Sequence, residues 1–231
     1  MIRLITDFDG PIMDVSERYY QVYRLCLEQT KRPDQEIKEL KKAEFWKLKR
    51  HRVPESKIGL LSGLDDIQAD AFSMMRKKTV HQVPYLVYDR PVPKAIETLE
   101  YIQKLGFDLA VMTMRRVREL DAAFNQYDLA RFFAPNRRYC LSNDYLKTAD
   151  TKDKPLLMER ALKELPPASD VWMVGDTEAD IIAAKTHNIK VIGVLSGIRD
   201  QSQLELYKPD FIVNNLREAV DLIVTDLPMT G

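Results

Sequence analysis

Ile2-Arg3-Leu4-Ile5-Thr6-Asp7-Phe8-Asp9-Gly10 opens the chain as a short β-rich run stopped by two acids and a glycine. The run Ile2 to Thr6 reads as a strand. Glycine directly after a strand marks a tight turn. In a sheet of alternating strands and helices, ligands bind beyond the C-terminal ends of the strands, so Asp7 and Asp9 are expected at a functional rim. Further on, Asp14 followed by Glu17 suits a helix start, with Asp14 as its cap at a hinge.

From Ser16 to about Lys78 the periodicity is helical and no strand is evident, with expected helices at about 16–30, 34–50 and 65–80 punctuated by Pro33 and Pro54. Residues 15–88 carry fifteen Lys/Arg against ten Asp/Glu, a net of +5 that the rest of the chain balances. After Tyr88 the pattern becomes strand–helix alternation. Expected elements are a helix at about 92–105 ended by Gly106, a strand at 107–112 ending at Thr113, and a helix at 117–127. A short strand at 139–141, a helix at 154–165 and a strand at 171–174 ending at Gly175-Asp176 follow. The remaining expectations are a helix at 178–187, strands at 190–195 and 210–213, and a helix at 215–223. Such alternation implies an α/β fold: a Rossmann-like parallel sheet with helices on both faces. The long stretch between Gly10 and Pro91 reads as a small all-helical cap domain. The expected division is 1–14 and 87–231 for the core and 15–86 for the cap.

The chain has 231 residues, 35 basic and 35 acidic, with 45% hydrophobic and 30% charged side chains. That suits a soluble globular protein with a real core. It points to no nucleic-acid or membrane partner. The N-terminus meets Asp7 too soon for a signal peptide, and no apolar run approaches the about 18 residues that span a bilayer. Cys26 and Cys140 lie in no metal-ligand spacing and read as small hydrophobes in a reducing, cytoplasmic setting. His51, His81 and His187 show no ligand spacing either.

The expected strand ends gather Asp7, Asp9, Thr113, Asp176 and Asp180 on one rim, with Lys154 at a helix start nearby. Crowded carboxylates do not all ionise unaided. A hard divalent cation relieves the repulsion, and magnesium favours carboxylates together with phosphate oxygens. Each residue has a plainer reading: Asp7 and Asp9 as turn formers, Asp180 as the partner of Thr177 in a capping box, Thr113 as an ordinary strand end. Lys154 in the first turn of a helix would oppose the macrodipole unless an anion sits in front of it, and Lys152 competes for that place.

Asp7-Phe8-Asp9-Gly10, Thr113 after a hydrophobic run, Lys154-Pro155 and Gly175-Asp176-Thr177-Glu178-Ala179-Asp180 resemble, in order and in context, the four motifs of the haloacid dehalogenase superfamily. The helical insert after the first motif is similar to the cap of phosphoglycolate-phosphatase-like members. The resemblance implies a magnesium-dependent phosphatase acting on a small phosphorylated metabolite such as phosphoglycolate or a sugar phosphate, as a monomer or homodimer. It implies Asp7 as nucleophile and Asp9 as acid and base. It further implies magnesium held by Asp7, the Asp9 backbone carbonyl and Asp176 with Asp180 beside it, and Thr113 and Lys154 on the phosphoryl oxygens. The basic run at Lys49, Arg50 and Arg52 is either a solvated helix end or a substrate-selecting turn; Arg115 and Arg116 are either surface charge or, one of them, a substrate contact. Pro11 and Met114 depart from the family pattern and leave the subgroup open. A β-phosphoglucomutase-type mutase and a non-catalytic phosphate-binding scaffold are the alternative functions. A dehalogenase is disfavoured because it would give Asp9 no task.

Overall fold

The computed structural model describes residues 1–226. Strand β1 (Ile2–Thr6) leads to a two-residue strand β2 (Met13–Asp14) and four helices: α1 (Ser16–Thr30), α2 (Lys42–Arg50), α3 (Glu55–Leu61) and α4 (Asp66–Thr79). The chain returns through β3 (Arg90–Pro91) to α5 (Ala95–Lys104), β4 (Asp108–Arg116), α6 (Val117–Tyr127) and β5 (Arg138–Leu141). Helix α7 (Asp150–Glu164), β6 (Asp170–Gly175), α8 (Glu178–Thr186), β7 (Lys190–Val194), α9 (Gln201–Glu205), β8 (Phe211–Val213) and α10 (Leu216–Asp226) complete it.

Six strands form one parallel sheet in the order β5-β4-β1-β6-β7-β8. Both faces are buried, which explains the near-continuous apolar runs in place of strict alternation. Leu4, Val111, Trp172 and Ile192 pack with Leu99 of α5, Phe124 of α6 and Val220 of α10. Their strand neighbours Ile5, Ala110, Met112, Met173 and Val191 pack on the other face with Met158 of α7, Ile181 of α8 and Leu204 of α9. The chain leaves β1 toward β4 on one side and later returns to β6 on the other. The C-terminal end of β1 is therefore a topological switch point, where such sheets open a crevice.

Helices α1–α4 have a core of their own. Val22, Tyr23 and Cys26 of α1 meet Phe45 of α2, Ile58 of α3 and Phe72 of α4, with Tyr23 stacked on Phe45 at 4.7 Å. The insert departs from the helices expected from sequence in two places. Residues 34–41 are not helical, although Ile37 and Leu40 have helical spacing. Both dock on this core from non-helical backbone, where the Leu40 amide donates to the Tyr23 hydroxyl (2.9 Å) and Lys38 N to Ser62 O (3.0 Å). Tertiary contacts outweigh local periodicity here. Conversely, α3 forms between Pro54 and Gly63, too short for its periodicity to show. Strands β2 and β3 pair antiparallel, Met13 with Pro91 and Asp14 with Arg90, so the two connections to the insert are tied together.

Two boundaries in the sheet region also differ. Strand β4 continues past Thr113 to Arg116, with a register irregularity against β5. Helix α7 begins at Asp150, four residues before Lys154. Lys154 thus sits in its second turn, where the macrodipole is weak. No helix among the described residues is long and apolar enough to cross a membrane.

Candidate active site

Thr6 lies level with Val111 on one side and Val174 on the other. The residues just beyond, Asp7, Thr113 and Asp176, therefore lie at one edge of the sheet, although β4 itself runs on to Arg116. Asp7 N donates to Val174 O (2.8 Å), which holds the Asp7 backbone in line with β6. Asp180 is added by the first turn of α8. Asp7, Asp9, Thr113, Lys154 and Asp176 line a cavity of about 140 Å³ that Tyr19 and His81 of the helical insert overhang.

Asp7, Asp176 and Asp180 are buried, and each offers a carboxylate oxygen within 4.8 Å of the others. Lys154 Nζ lies 2.7 Å from Asp7 Oδ2 and also contacts Asp180 Oδ1. Lys154 is 1% exposed, whereas Lys152 faces solvent, so the structure brings Lys154 and not Lys152 to the carboxylates. Asp180 divides its two oxygens: Oδ2 accepts from Thr177 N (3.0 Å) and Thr177 Oγ1 (2.7 Å), and Oδ1 faces Lys154. Capping and charge placement coexist in one side chain.

Three carboxylates against one ammonium leave excess negative charge. Burial first, then the Asp180 charge, hold the Asp7 carboxyl well above its ordinary value although Lys154 pulls it down. Burial and Asp180 likewise push Asp176 up to about 7. Burial disfavours the Lys154 charge, but Asp180 and Asp7 outweigh it and raise that ammonium above the usual lysine range. A buried set of carboxylate oxygens with excess negative charge fits a hard divalent cation such as magnesium.

Glycine makes the arrangement possible. A Cβ on Gly10 or Gly197 would overlap the Asp176 carboxylate, and one on Gly175 would overlap Asp180. Gly10 also has φ +91°, which favours glycine. Asp176 Oδ2 accepts from Ile198 N (2.6 Å), so the loop after β7 fixes this carboxylate.

Asp9 stands apart from the carboxylate cluster. Its Oδ1 accepts from Arg115 Nε (2.9 Å) and its Oδ2 from Arg18 Nη2 (3.3 Å). Burial pushes the Asp9 carboxyl up, but the charges of Arg115 and Arg18 outweigh that and hold it below the ordinary carboxylate value. Thr113 Oγ1 accepts from Arg115 N (3.2 Å), which leaves its hydroxyl proton for a ligand.

The basic candidates separate. Arg115 lines the cavity but is 3% exposed and bound to Asp9 and Asp89; its Nη1 has no hydrogen-bond partner. Lys49, Arg50 and Arg52 do not line the cavity. Lys49 pairs with Glu55 inside the helical insert. Arg50 Nη2 donates to Leu195 O (2.8 Å) and Arg199 O (3.0 Å). Arg52 reaches Glu178 (3.3 Å) and the Tyr207 hydroxyl (3.1 Å). This basic turn fastens the insert to the core. Asp14 is not the cap of α1: Val15 holds that position without a side-chain cap bond, and Asp14, one residue earlier, accepts from Ser16 N (2.8 Å).

Sequence reasoning passed over Arg18, Asp89, Tyr19 and Arg199, and weighed His81 only as a metal ligand. Arg18 and Tyr19 lie in an amphipathic helix whose polar members read as solvated, and Asp89 in a turn. Only their burial beside Asp9 or their place on the cavity wall sets them apart.

Comparison with known proteins agrees with this fold. The family model for haloacid dehalogenase-like hydrolases matches residues 4–188. A phosphoglycolate phosphatase of Pseudomonas fluorescens is 25% identical over 161 residues, 68% of this chain and 56% of that protein. One of Vibrio parahaemolyticus is 25% identical over 163 residues, 69% of this chain and 67% of that protein. The chain thus aligns with little more than half the length of the first of these. Among solved structures, a haloacid dehalogenase-like family protein of Streptococcus pneumoniae superposes with a TM-score of 0.67 at 17% identity, covering 96% of this chain and 97% of its own.

Proposed function

Since the chain belongs to the haloacid dehalogenase-like hydrolase family, we propose that it is a phosphatase that hydrolyses a small phosphomonoester through an aspartyl-phosphate on Asp7. The observation that carries this reading is the pairing of Lys154 with Asp7 at 2.7 Å inside a buried carboxylate cluster. A lone ammonium against three acids is a charge arrangement built to receive a cation and an anion together. Magnesium, held by Asp7, the Asp9 backbone carbonyl and Asp176 with Asp180 beside it, would offset the charge of the carboxylates and of the incoming phosphate.

Asp7 attacks phosphorus, and the bond from phosphorus to the leaving oxygen breaks. Asp9 first takes up a proton from solvent, against the pull of Arg115 and Arg18, and donates it to that oxygen. In the second half, Asp9 takes a proton from water as the water oxygen replaces the Asp7 oxygen on phosphorus. Thr113 donates its free hydroxyl to a phosphoryl oxygen, and Lys154 supplies positive charge that need not reorganise during transfer. Tyr19 and His81 overhang the cavity from the helical insert, which we read as the cap, and exclude water and bulky esters. The relatives of Pseudomonas fluorescens and Vibrio parahaemolyticus are phosphoglycolate phosphatases, so phosphoglycolate and related phospho-acids head the candidate substrates.

The test is phosphate release from an aryl phosphate and from a panel of small phosphorylated acids and sugars, with and without magnesium, beside Asp7→Asn. Magnesium-dependent release that Asp7→Asn abolishes supports the reading. Interconversion of hexose phosphates without net release would replace it with a mutase, and no turnover on any compound would sink it.

A further inference from the structure

Beside the carboxylate cluster, four charges close into a ring. Asp9 and Asp89 each meet both Arg18 and Arg115. Arg18 reaches Asp9 through Nη2 at 3.3 Å and Asp89 through Nε at 2.9 Å. Arg115 reaches Asp9 through Nε at 2.9 Å and donates to Asp89 through Nη2. The members come from four parts of the chain: Asp9 after β1, Arg18 on α1, Asp89 just before β3 and Arg115 on β4.

The ring is not symmetric in burial. The side chains of Arg18, Asp89 and Arg115 are at most 3% exposed, whereas that of Asp9 is 26% exposed. Asp9 and Arg115 both line the cavity, and Asp9 is by far the more exposed of the two. Arg18 donates a hydrogen bond to Asp9 at 3.3 Å, whereas its 2.9 Å approach to Asp89 is an ion pair in which neither Arg18 Nε nor Asp89 Oδ1 makes a hydrogen bond. Two guanidiniums face two carboxylates, so Asp89 takes a share of each guanidinium that would otherwise fall on Asp9. Without the Asp89 charge, two buried cations would have Asp9 as their single carboxylate in the ring, and leaving a buried charge short of a partner is strongly unfavourable.

We infer that Asp89 is a positioning residue for Asp9: by dividing Arg18 and Arg115 it leaves the Asp9 carboxyl free enough to turn to the leaving oxygen. This rests on the phosphatase reading. Removing the Asp89 charge draws Asp9 onto the two arginines and away from its task. Removing one arginine as well restores the balance.

The test compares wild type, Asp89→Asn, Arg18→Gln, the double variant and Asp89→Glu on two esters. One is p-nitrophenyl phosphate, whose leaving group departs without a proton. The other is the best alkyl phosphate of the panel, whose leaving oxygen needs one. For Asp89→Asn, kcat/KM, which reports the step in which the leaving group departs and not the later hydrolysis common to both esters, is expected to fall about tenfold further on the alkyl ester than on the aryl ester, within the range a general acid contributes. Adding Arg18→Gln is expected to recover part of that selective loss, and Asp89→Glu to keep the wild-type alkyl-to-aryl ratio. Equal loss on both esters, or a double variant worse than either single one, would make the ring a structural latch and overturn the inference alone. Should Asp89→Asn not fold, the charge-balanced double variant and Asp89→Glu carry the same comparison. A wild type without phosphatase activity would overturn both readings.

Discussion

Gly197 lies against the carboxylate of Asp176 so closely that any Cβ at position 197 would overlap it. Backbone strain is not the reason, since Gly197 is not among the glycines with positive φ. The constraint is the space that Asp176 needs to stand beside Asp7 and Asp180. Gly197→Ala is therefore expected to displace Asp176 while leaving the fold intact. Calorimetric titration should show magnesium affinity at least about tenfold weaker, the scale of loss when the support of a metal ligand is removed. Unchanged affinity would show that the loop yields freely.

Asp176 also sets a pH dependence. Burial and Asp180 raise its carboxyl from 3.8 to about 7. A group whose folded value is raised holds its proton more tightly when folded. Its contribution to stability is complete below about pH 4 and is lost as pH rises through about 7. In EDTA, wild type is expected to lose Tm relative to Asp176→Asn across that window. Magnesium should reverse the trend for wild type only, because a cation takes the place of the proton. A constant difference in Tm from about pH 4 to about pH 8 would show that Asp176 titrates as an ordinary aspartate.

Inside the helical insert, Glu55 is the shared counter-charge of Arg76 (Nε to Oε2, 3.0 Å) and Lys49. Arg76 is 1% exposed. Burial already holds the Lys49 ammonium below its usual value, so Lys49 can shed its charge when its partner goes. Arginine cannot. Glu55→Gln is expected to cost about 3 kcal/mol through the stranded Arg76, read from denaturant unfolding. A loss below about 0.5 kcal/mol would mean that water reaches Arg76.

Arg50 joins the C-terminal end of α2 to the loop that carries Ile198, whose amide donates to Asp176. Charge-assisted hydrogen bonds of this sort contribute about 1.5–3 kcal/mol. Arg50→Ala should therefore raise hydrogen exchange at Ile198 by about tenfold or more, with the strands of the sheet unaffected. Exchange that stays the same would separate the insert from the metal-side loop.

Much of this protein follows from its sequence alone. The order of strands and helices after Tyr88 and the helices at Ser16–Thr30 and Asp66–Thr79 are local properties, written in periodicity, caps and breakers. That Asp7, Thr113 and Asp176 share one edge also follows, since each is at or near the end of a buried run in a parallel sheet. What tertiary structure decided is who pairs with whom across long separations. Lys154 rather than Lys152 meets Asp7 because α7 starts four residues early and turns that side chain inward. Ile37 and Leu40 keep helical spacing on non-helical backbone because Tyr23 and Ser62 supply partners for the chain there. Lys49, Arg50 and Arg52 face Glu55 and the core loops, not the cavity. Arg18, Asp89 and Arg115 look like ordinary surface charges in one dimension, and they become a ring around Asp9 only when four distant segments are folded together. Periodicity reports which way a side chain faces relative to its own element; a buried charge is settled by its partner, and the partner is chosen by the fold.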